Sequence, residues 1–177
     1  ANHEDGFALA SMRSETRSRY YVQSAPGETV DDWSTERFWQ AFTHRLGTLG
    51  QQVKTGEPIE KSIAPLRSYV SEPMRFGRLF LAGDSAHIVP PTGAKGLNLA
   101  FADVRRLSRA IAHWKSSGSD AALEGYSLDA LARVWKIERF SWYLTTMMHQ
   151  FPEHSGFEKR MQRAEIDYIT SSASSQS

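Results

Sequence analysis

Gly77-Arg78-Leu79-Phe80-Leu81-Ala82-Gly83-Asp84-Ser85-Ala86-His87-Ile88-Val89-Pro90-Pro91-Thr92-Gly93-Ala94-Lys95-Gly96-Leu97-Asn98 is the stretch that decides how the chain is read. Leu79 to Ala82 form a short apolar run, the pattern of a strand buried on both faces. Asp84 ends that run with an acceptor-only carboxylate, suited to a vicinal hydroxyl of a ribityl or ribose chain. Pro90 and Pro91 carry no backbone N–H, so their carbonyls are expected to point outward instead of joining a ladder. Gly93 and Gly96 allow positive φ and close backbone approach. Gly96, Leu97 and Asn98 then open a helix whose bare amides and positive end suit a partly anionic oxygen on a flat ring. A strand, loop and helix cap without a ligand would share part of this pattern. Two prolines and two glycines in one loop, behind a strand-end carboxylate, favour a cofactor.

In that order the residues resemble the second flavin-contacting motif of the class A flavoprotein aromatic hydroxylases. Much of that family reads Gly-Gly-Gln-Gly or similar in the loop. Pro90 to Asn98 is instead similar to the branch that hydroxylates 4-hydroxybenzoate. Arg13 to Gln23, Glu60 to Tyr69, Glu72-Pro73-Met74 and Trp135-Lys136 through Glu138 to Trp142 extend the likeness from Ala1 to about Tyr168. It implies FAD as cofactor, with Asp84, Lys95, Gly96, Leu97 and Asn98 in contact with it. The implied fold class is α/β with α+β elements. Residues 1–75 would be part of a substrate-binding β-sheet domain, 76–118 the return segment of an FAD-binding domain, and 119–177 a C-terminal helical region at a dimer interface.

Composition is permissive. With 177 residues, 40% of them apolar, the chain has enough material for one good core in one or two domains. A formal charge of +1 without like-charge blocks offers nothing to nucleic acid. The absence of cysteine excludes disulfides and Cys-based metal sites. No signal peptide or long apolar run points to a membrane, and a reducing cytoplasm is the default expectation.

No Gly-x-Gly-x-x-Gly follows a strand anywhere, although a dinucleotide pyrophosphate needs such a loop. On the flavin reading that half lies upstream, and the chain is expected to be the C-terminal part of a longer enzyme, shortened at both ends. Phe7 to Met12 and Ser18 to Gln23 read as strands, and Ser34 as the start of a helix carrying Phe38, Phe42 and Leu46. Ser62 to Val70 reads as a strand demoted to an edge or bulge by Pro65. The helix after the loop should bury Leu97, Phe101, Val104, Leu107 and Ile111 on one face, and end at Ser116 to Asp120. A long helical stretch from Ala121 to about Met148 and a shorter helix from Phe157 to Ile169 complete the pattern, and the serine-rich tail from Thr170 to Ser177 reads as disordered at its end.

The strand pair holds a second constellation: Ser11, Arg13, Arg19 and Tyr21. Alternation puts Arg19 and Tyr21 on one face, and a guanidinium beside a hydroxyl and a phenol is a fork of donors for a carboxylate. A solvated basic strand is the alternative, since Arg17 lies in the same hairpin. The resemblance implies the first reading. Ser11, Arg13 and Tyr21 match substrate-carboxylate contacts, with Met12 between the first two. Arg19 matches a residue approaching the flavin, Pro91 one whose carbonyl lies near the substrate's phenolic end, and Arg67 one used with reduced nicotinamide. Arg67 also reads as an ordinary surface arginine, and Lys95 as a solvated one. His87 reads as a hydrogen-bonded structural histidine or, less simply, as a base. His3, His44, His113, His149 and His154 show no metal-ligand spacing. Trp33, Trp135, Phe140 and Trp142 read as core or dimer contacts.

The activity implied is hydroxylation of 4-hydroxybenzoate to 3,4-dihydroxybenzoate with NADPH and O2, through a flavin C4a-hydroperoxide, by a homodimer. The resemblance implies two tyrosines that assist phenol ionisation, one expected immediately before Ala1 and the other beyond Ser177. Ser85, where alanine is frequent, and Phe101-Ala102-Asp103 depart from the family pattern. A non-catalytic aromatic-acid binding or dimerisation module, and a sibling hydroxylase of another hydroxy aromatic acid, are the competing readings.

Overall fold

The computed structural model describes residues 1–173. In chain order the elements are β1 (Ala8–Ser14), β2 (Arg17–Val22), α1 (Thr35–Arg45), β3 (Tyr69–Val70), β4 (Arg75–Phe76), β5 (Leu79–Phe80), β6 (His87–Ile88), α2 (Gly96–Ser117), α3 (Ala121–Glu124), α4 (Tyr126–Met148) and α5 (Gly156–Ser171). They form two compact units: Ala1–Ala64 with Thr146–Ser177, and Pro65–Thr145.

The first unit is built on the β1–β2 hairpin. Its antiparallel register pairs Ala8 with Val22, Ala10 with Tyr20, Ser11 with Arg19 and Met12 with Ser18. Directly opposed residues share a face, so alternation sets Ala8, Tyr20 and Val22 against α1 and turns Ser11, Arg19 and Tyr21 the other way. Tyr20 meets Trp39 and Phe42 edge-on, each at 5.1 Å between ring centroids. Ala8 and Phe42 are fully buried there. Helix α1 starts where the sequence places it, with the Ser34 hydroxyl accepting the Arg37 N–H at 3.1 Å. Its last residue, Arg45, donates to the carbonyls of Phe7 and Gln23 at 3.2 and 2.8 Å, tying the helix end to the mouth of the hairpin. Helix α5 opens on a reciprocal Ser155–Glu158 cap and runs to Ser171, so the serine tail begins as helix; its end, residues 174–177, lies outside the described residues.

The second unit has its core in Met74, Ala86, Leu99, Tyr126, Ala130 and Val134. The Tyr126 hydroxyl donates to the Leu81 carbonyl at 2.7 Å, and burial pushes its phenol up to about 12. Three expectations change here. Ser62 to Val70 contributes only β3, which pairs with β6 over Tyr69–Ile88 and Val70–His87. Proline at 65 removes a ladder donor, and among the described residues no strand pairs with Ser62 to Ser68. The apolar run of the opening stretch gives β5, paired among the described residues with β4 alone, so Leu79 is 59% exposed instead of buried on both faces. Helix α2 is rotated from its expected phase. Leu99, Asp103 and Ala110 are its buried residues, while Leu97, Phe101, Val104 and Ile111 are exposed.

The cause of that rotation is polar. The Asp103 carboxylate, 2% exposed, accepts from the His87 Nε2–H at 2.6 Å and from the Gly83 amide at 3.1 Å through one oxygen, Oδ2. An acid this deep must keep its partners. His87 is therefore the hydrogen-bonded structural histidine of the two sequence readings. Helix α2 ends as expected, at Ser117, on a left-handed Gly118 (φ 73°). Of the aromatic residues expected to be covered, Trp33 is buried, whereas Trp135, Phe140 and Trp142 are exposed among the described residues.

Asp103→Ala strands two buried donors, and it should lower stability by about 3–5 kcal/mol in thermal or urea unfolding. Asp103→Asn retains an acceptor oxygen and should recover part of that loss. Equal stability of the alanine variant and the parent would contradict this account of α2.

Candidate functional site

In the second unit the turn Gly83–Ser85 presents Asp84 at the surface. Gly83 adopts φ +61°, the left-handed region that favours glycine, and a Cβ on it would sit in a tight 3.3 Å contact with that of Ala100. The Ser85 hydroxyl donates to the Ala82 carbonyl at 2.8 Å and accepts the Ala82 N–H at 3.2 Å, closing the turn. Alanine at position 85 would lack both bonds. Asp103 pins the turn from beneath through Gly83. Asp84 itself has its backbone held and its carboxylate turned to solvent.

The loop that follows carries Pro91, Thr92 and Gly93 in a tight turn, in which the Ala94 N–H donates to the Pro91 carbonyl at 2.9 Å. That carbonyl was expected to be untied; one of its two lone pairs is in use. The positive φ expected at Gly93 or Gly96 falls on Ala94, at 49°. Gly93 is needed for close approach instead: a Cβ there would lie 2.8 Å from the Ser141 hydroxyl and 3.3 Å from the Phe140 ring. The Thr145 hydroxyl donates to the Thr92 hydroxyl at 2.9 Å, which straps the loop to α4 at Thr92. The Lys95 ammonium lies 6.0 Å from the centre of the Phe140 ring.

Helix α2 then starts without any side-chain cap. Its first-turn amides, on Gly96, Leu97 and Asn98, are the unsatisfied donors of a 22-residue helix and lie at its positive end. Leu97 and Asn98 are exposed. A surface carboxylate for hydroxyl groups and a bare helix N-terminus for an electron-rich ring edge form a donor and acceptor set that fits FAD. Arg67, in the same unit, is exposed and has no regular structure around it.

The same unit buries one acid that the sequence reading passed over. Glu138 on α4 is 5% exposed; its Oε2 accepts from the Ser68 hydroxyl at 3.2 Å and its Oε1 has no hydrogen-bond partner. Burial pushes its carboxyl above the ordinary range, with Ser68 and His87 pulling the other way. Asp103 was noted in the sequence only as a departure from pattern. Its signal was there: a charged residue in helical phase with Leu99 and Ala110 must be a paired core acid.

In the first unit the hairpin brings Ser11, Arg13, Arg19 and Tyr21 together. Ser11 opposes Arg19 directly, and the register shifts between Met12 and Ser14, leaving Arg13 as the unpaired residue of a bulge. A bulge re-aims one side chain. Here the Arg13 guanidinium donates to the Tyr21 hydroxyl at 2.8 Å. Arg13 and Arg19 are exposed, so their remaining N–H groups face solvent. The result is a concentrated set of donors on the face away from α1. Met12 pairs with Ser18, one step out of phase with Ser11 and Arg19, and is 80% exposed. Among the described residues no helix is long and apolar enough to cross a membrane.

Residues 1–141 match the FAD binding domain family. Over 174 residues the chain is 53% identical to the p-hydroxybenzoate hydroxylase of Acinetobacter baylyi, a match that covers 98% of this chain and 43% of that protein. It is 37% identical over 117 residues to the tetracenomycin A2 monooxygenase-dioxygenase of Streptomyces glaucescens, covering 64% of this chain and 18% of the relative. The chain thus spans less than half the length of these curated relatives. Among solved structures, p-nitrophenol 4-monooxygenase from Pseudomonas putida superposes with a TM-score of 0.68 at 21% identity, over 92% of this chain and 40% of that one, which establishes the shared fold. With a family match that spans both the hairpin and the capless helix, the chain belongs to the FAD binding domain family.

Proposed function

We propose that this chain is part of a flavin-dependent monooxygenase that converts 4-hydroxybenzoate to 3,4-dihydroxybenzoate with NADPH and O2. The observation that carries the substrate class is the Arg13–Tyr21 pair on the bulged hairpin, 2.8 Å apart and open to solvent. A planar guanidinium braced by a phenol, with the Ser11 hydroxyl on the same face, is built for one carboxylate in one orientation. The 53% identity to p-hydroxybenzoate hydroxylase supports the choice of the para-hydroxylated acid.

The residues divide the work by chemistry. Ser11, Arg13 and Tyr21 hold the acid end, and Met12 contributes backbone between them. Asp84 accepts from ribityl hydroxyls, and the amides of Gly96, Leu97 and Asn98 stabilise negative charge on the ring edge of the flavin, with Lys95 adding positive potential. When bound, FAD supplies the activation of dioxygen and the transfer of one oxygen atom to the aromatic ring. Arg19 toward the flavin, the Pro91 carbonyl as acceptor for the phenol, and Arg67 toward NADPH rest on likeness to the hydroxylase branch. NADPH as reductant, a homodimer using the exposed aromatic residues of α4, and a cytoplasmic setting suited to a cysteine-free chain complete the reading.

Arg13→Ala in the full-length enzyme should raise KM for 4-hydroxybenzoate steeply in steady-state NADPH consumption, since loss of a charged partner costs about 2–5 kcal/mol. An unchanged KM would refute the carboxylate clamp. Asp84→Ala should weaken FAD retention by a factor of ten or more, because a hydrogen bond to a charged group contributes about 1.5–3 kcal/mol. Flavin absorbance after gel filtration reads this directly. Parent protein that purifies colourless and takes up no FAD would instead support a non-catalytic module.

A further inference from the structure

We propose a divalent transition-metal site at His3, Asp5 and His44, in the first unit. One ligand atom from each of these residues lies within 4.8 Å of the others. Asp5 Oδ2 stands between two imidazoles, 3.0 Å from His44 Nε2 and 3.5 Å from His3 Nδ1. Ligand atoms at zinc distances of about 2.1 Å in a tetrahedral shell are about 3.4 Å apart, so both pairs already have the spacing of a coordinated set. The rings meet edge-on with centroids 4.7 Å apart, which leaves their nitrogens free to converge on the carboxylate.

The arrangement is held from several directions. His3 to Gly6 form a tight turn in which the Gly6 N–H donates to the His3 carbonyl at 2.9 Å, with Gly6 at φ +115°. The Asp5 N–H donates to His3 Nδ1 at 3.1 Å, so that nitrogen carries no proton, and a metal bound there would take the lone pair in place of this hydrogen bond. His44 is the penultimate residue of α1, and the negative end of a helix favours a cation. Its neighbour Arg45 fastens the helix end to the carbonyls of Phe7 and Gln23, which fixes His44 against the turn. Two imidazoles and one carboxylate are the donor set of zinc, cobalt and related ions. The side chains of Asp5 and His44 are 58% and 65% exposed, so water has access to the remaining coordination positions. Bound metal would staple the entry of β1 to the end of α1. Reading along the chain gave no metal-ligand spacing because the third ligand stands 39 residues from the second.

The test uses untagged full-length protein freed of metal with a chelator. Calorimetric titration with Zn²⁺ should show one site per chain with micromolar affinity or better, and Co²⁺ should produce visible d–d bands. His44→Ala and Asp5→Asn should each weaken binding by about tenfold or more, while His113→Ala leaves it unchanged. Melting curves without metal should match the parent in all three variants, showing that they fold. Zn²⁺ should raise the Tm of the parent and not that of His44→Ala. Absence of Zn²⁺ binding, or binding that survives both His44→Ala and Asp5→Asn, would overturn the proposal.

Discussion

One buried carboxylate organises the second of the two units. Asp103 reaches from α2 to take the Gly83 amide and the His87 ring on a single oxygen. Gly83 lies in the turn between β5 and β6 and His87 opens β6, so the contact fixes the turn carrying Asp84 against the helix whose N-terminus carries the bare amides. The two halves of the donor and acceptor set are thereby built on one rigid joint, away from solvent, where a hydrogen bond is stronger and its loss more costly. Ser85 and Gly83 close the turn from above, and Gly93 brings the next loop hard against α4. These contacts hold the turn and the helix start in fixed positions.

The hairpin solves a different problem by a different route. Strict alternation would give Ser11, Arg19 and Tyr21 a common face. Arg13 shares the parity of Ser11 and, unpaired at the bulge, donates to the Tyr21 hydroxyl. The opposite face is spent on Tyr20 against Trp39 and Phe42, so the register cannot slip without turning the donors inward.

Much of this was legible from the residues, for physical reasons that differ from place to place. The hairpin, the Ser34 cap, the Gly118 stop and the helix α5 follow from local rules, since alternation, side-chain caps and left-handed glycines are decided within a few residues. The failures are all non-local. Leu79 has the pattern of a doubly buried strand residue, yet among the described residues β5 has only β4 beside it. The stripe Leu97, Phe101, Val104, Ile111 looked like the core face of α2, and the competing stripe won because it contains Asp103, whose partners lie 16 and 20 residues earlier. Of the two roles expected of Gly93, close approach holds and positive φ does not, and the close approach is to Ser141 on a helix 48 positions later. The metal-ligand set was invisible for the same reason.

The decisive measurement is a crystal structure of the full-length protein grown with FAD. The account predicts ribityl density within hydrogen-bond distance of the Asp84 carboxylate and a ring edge against the amides of Gly96 to Asn98. Ordered solvent alone at those groups, with flavin absent or held elsewhere, would contradict it.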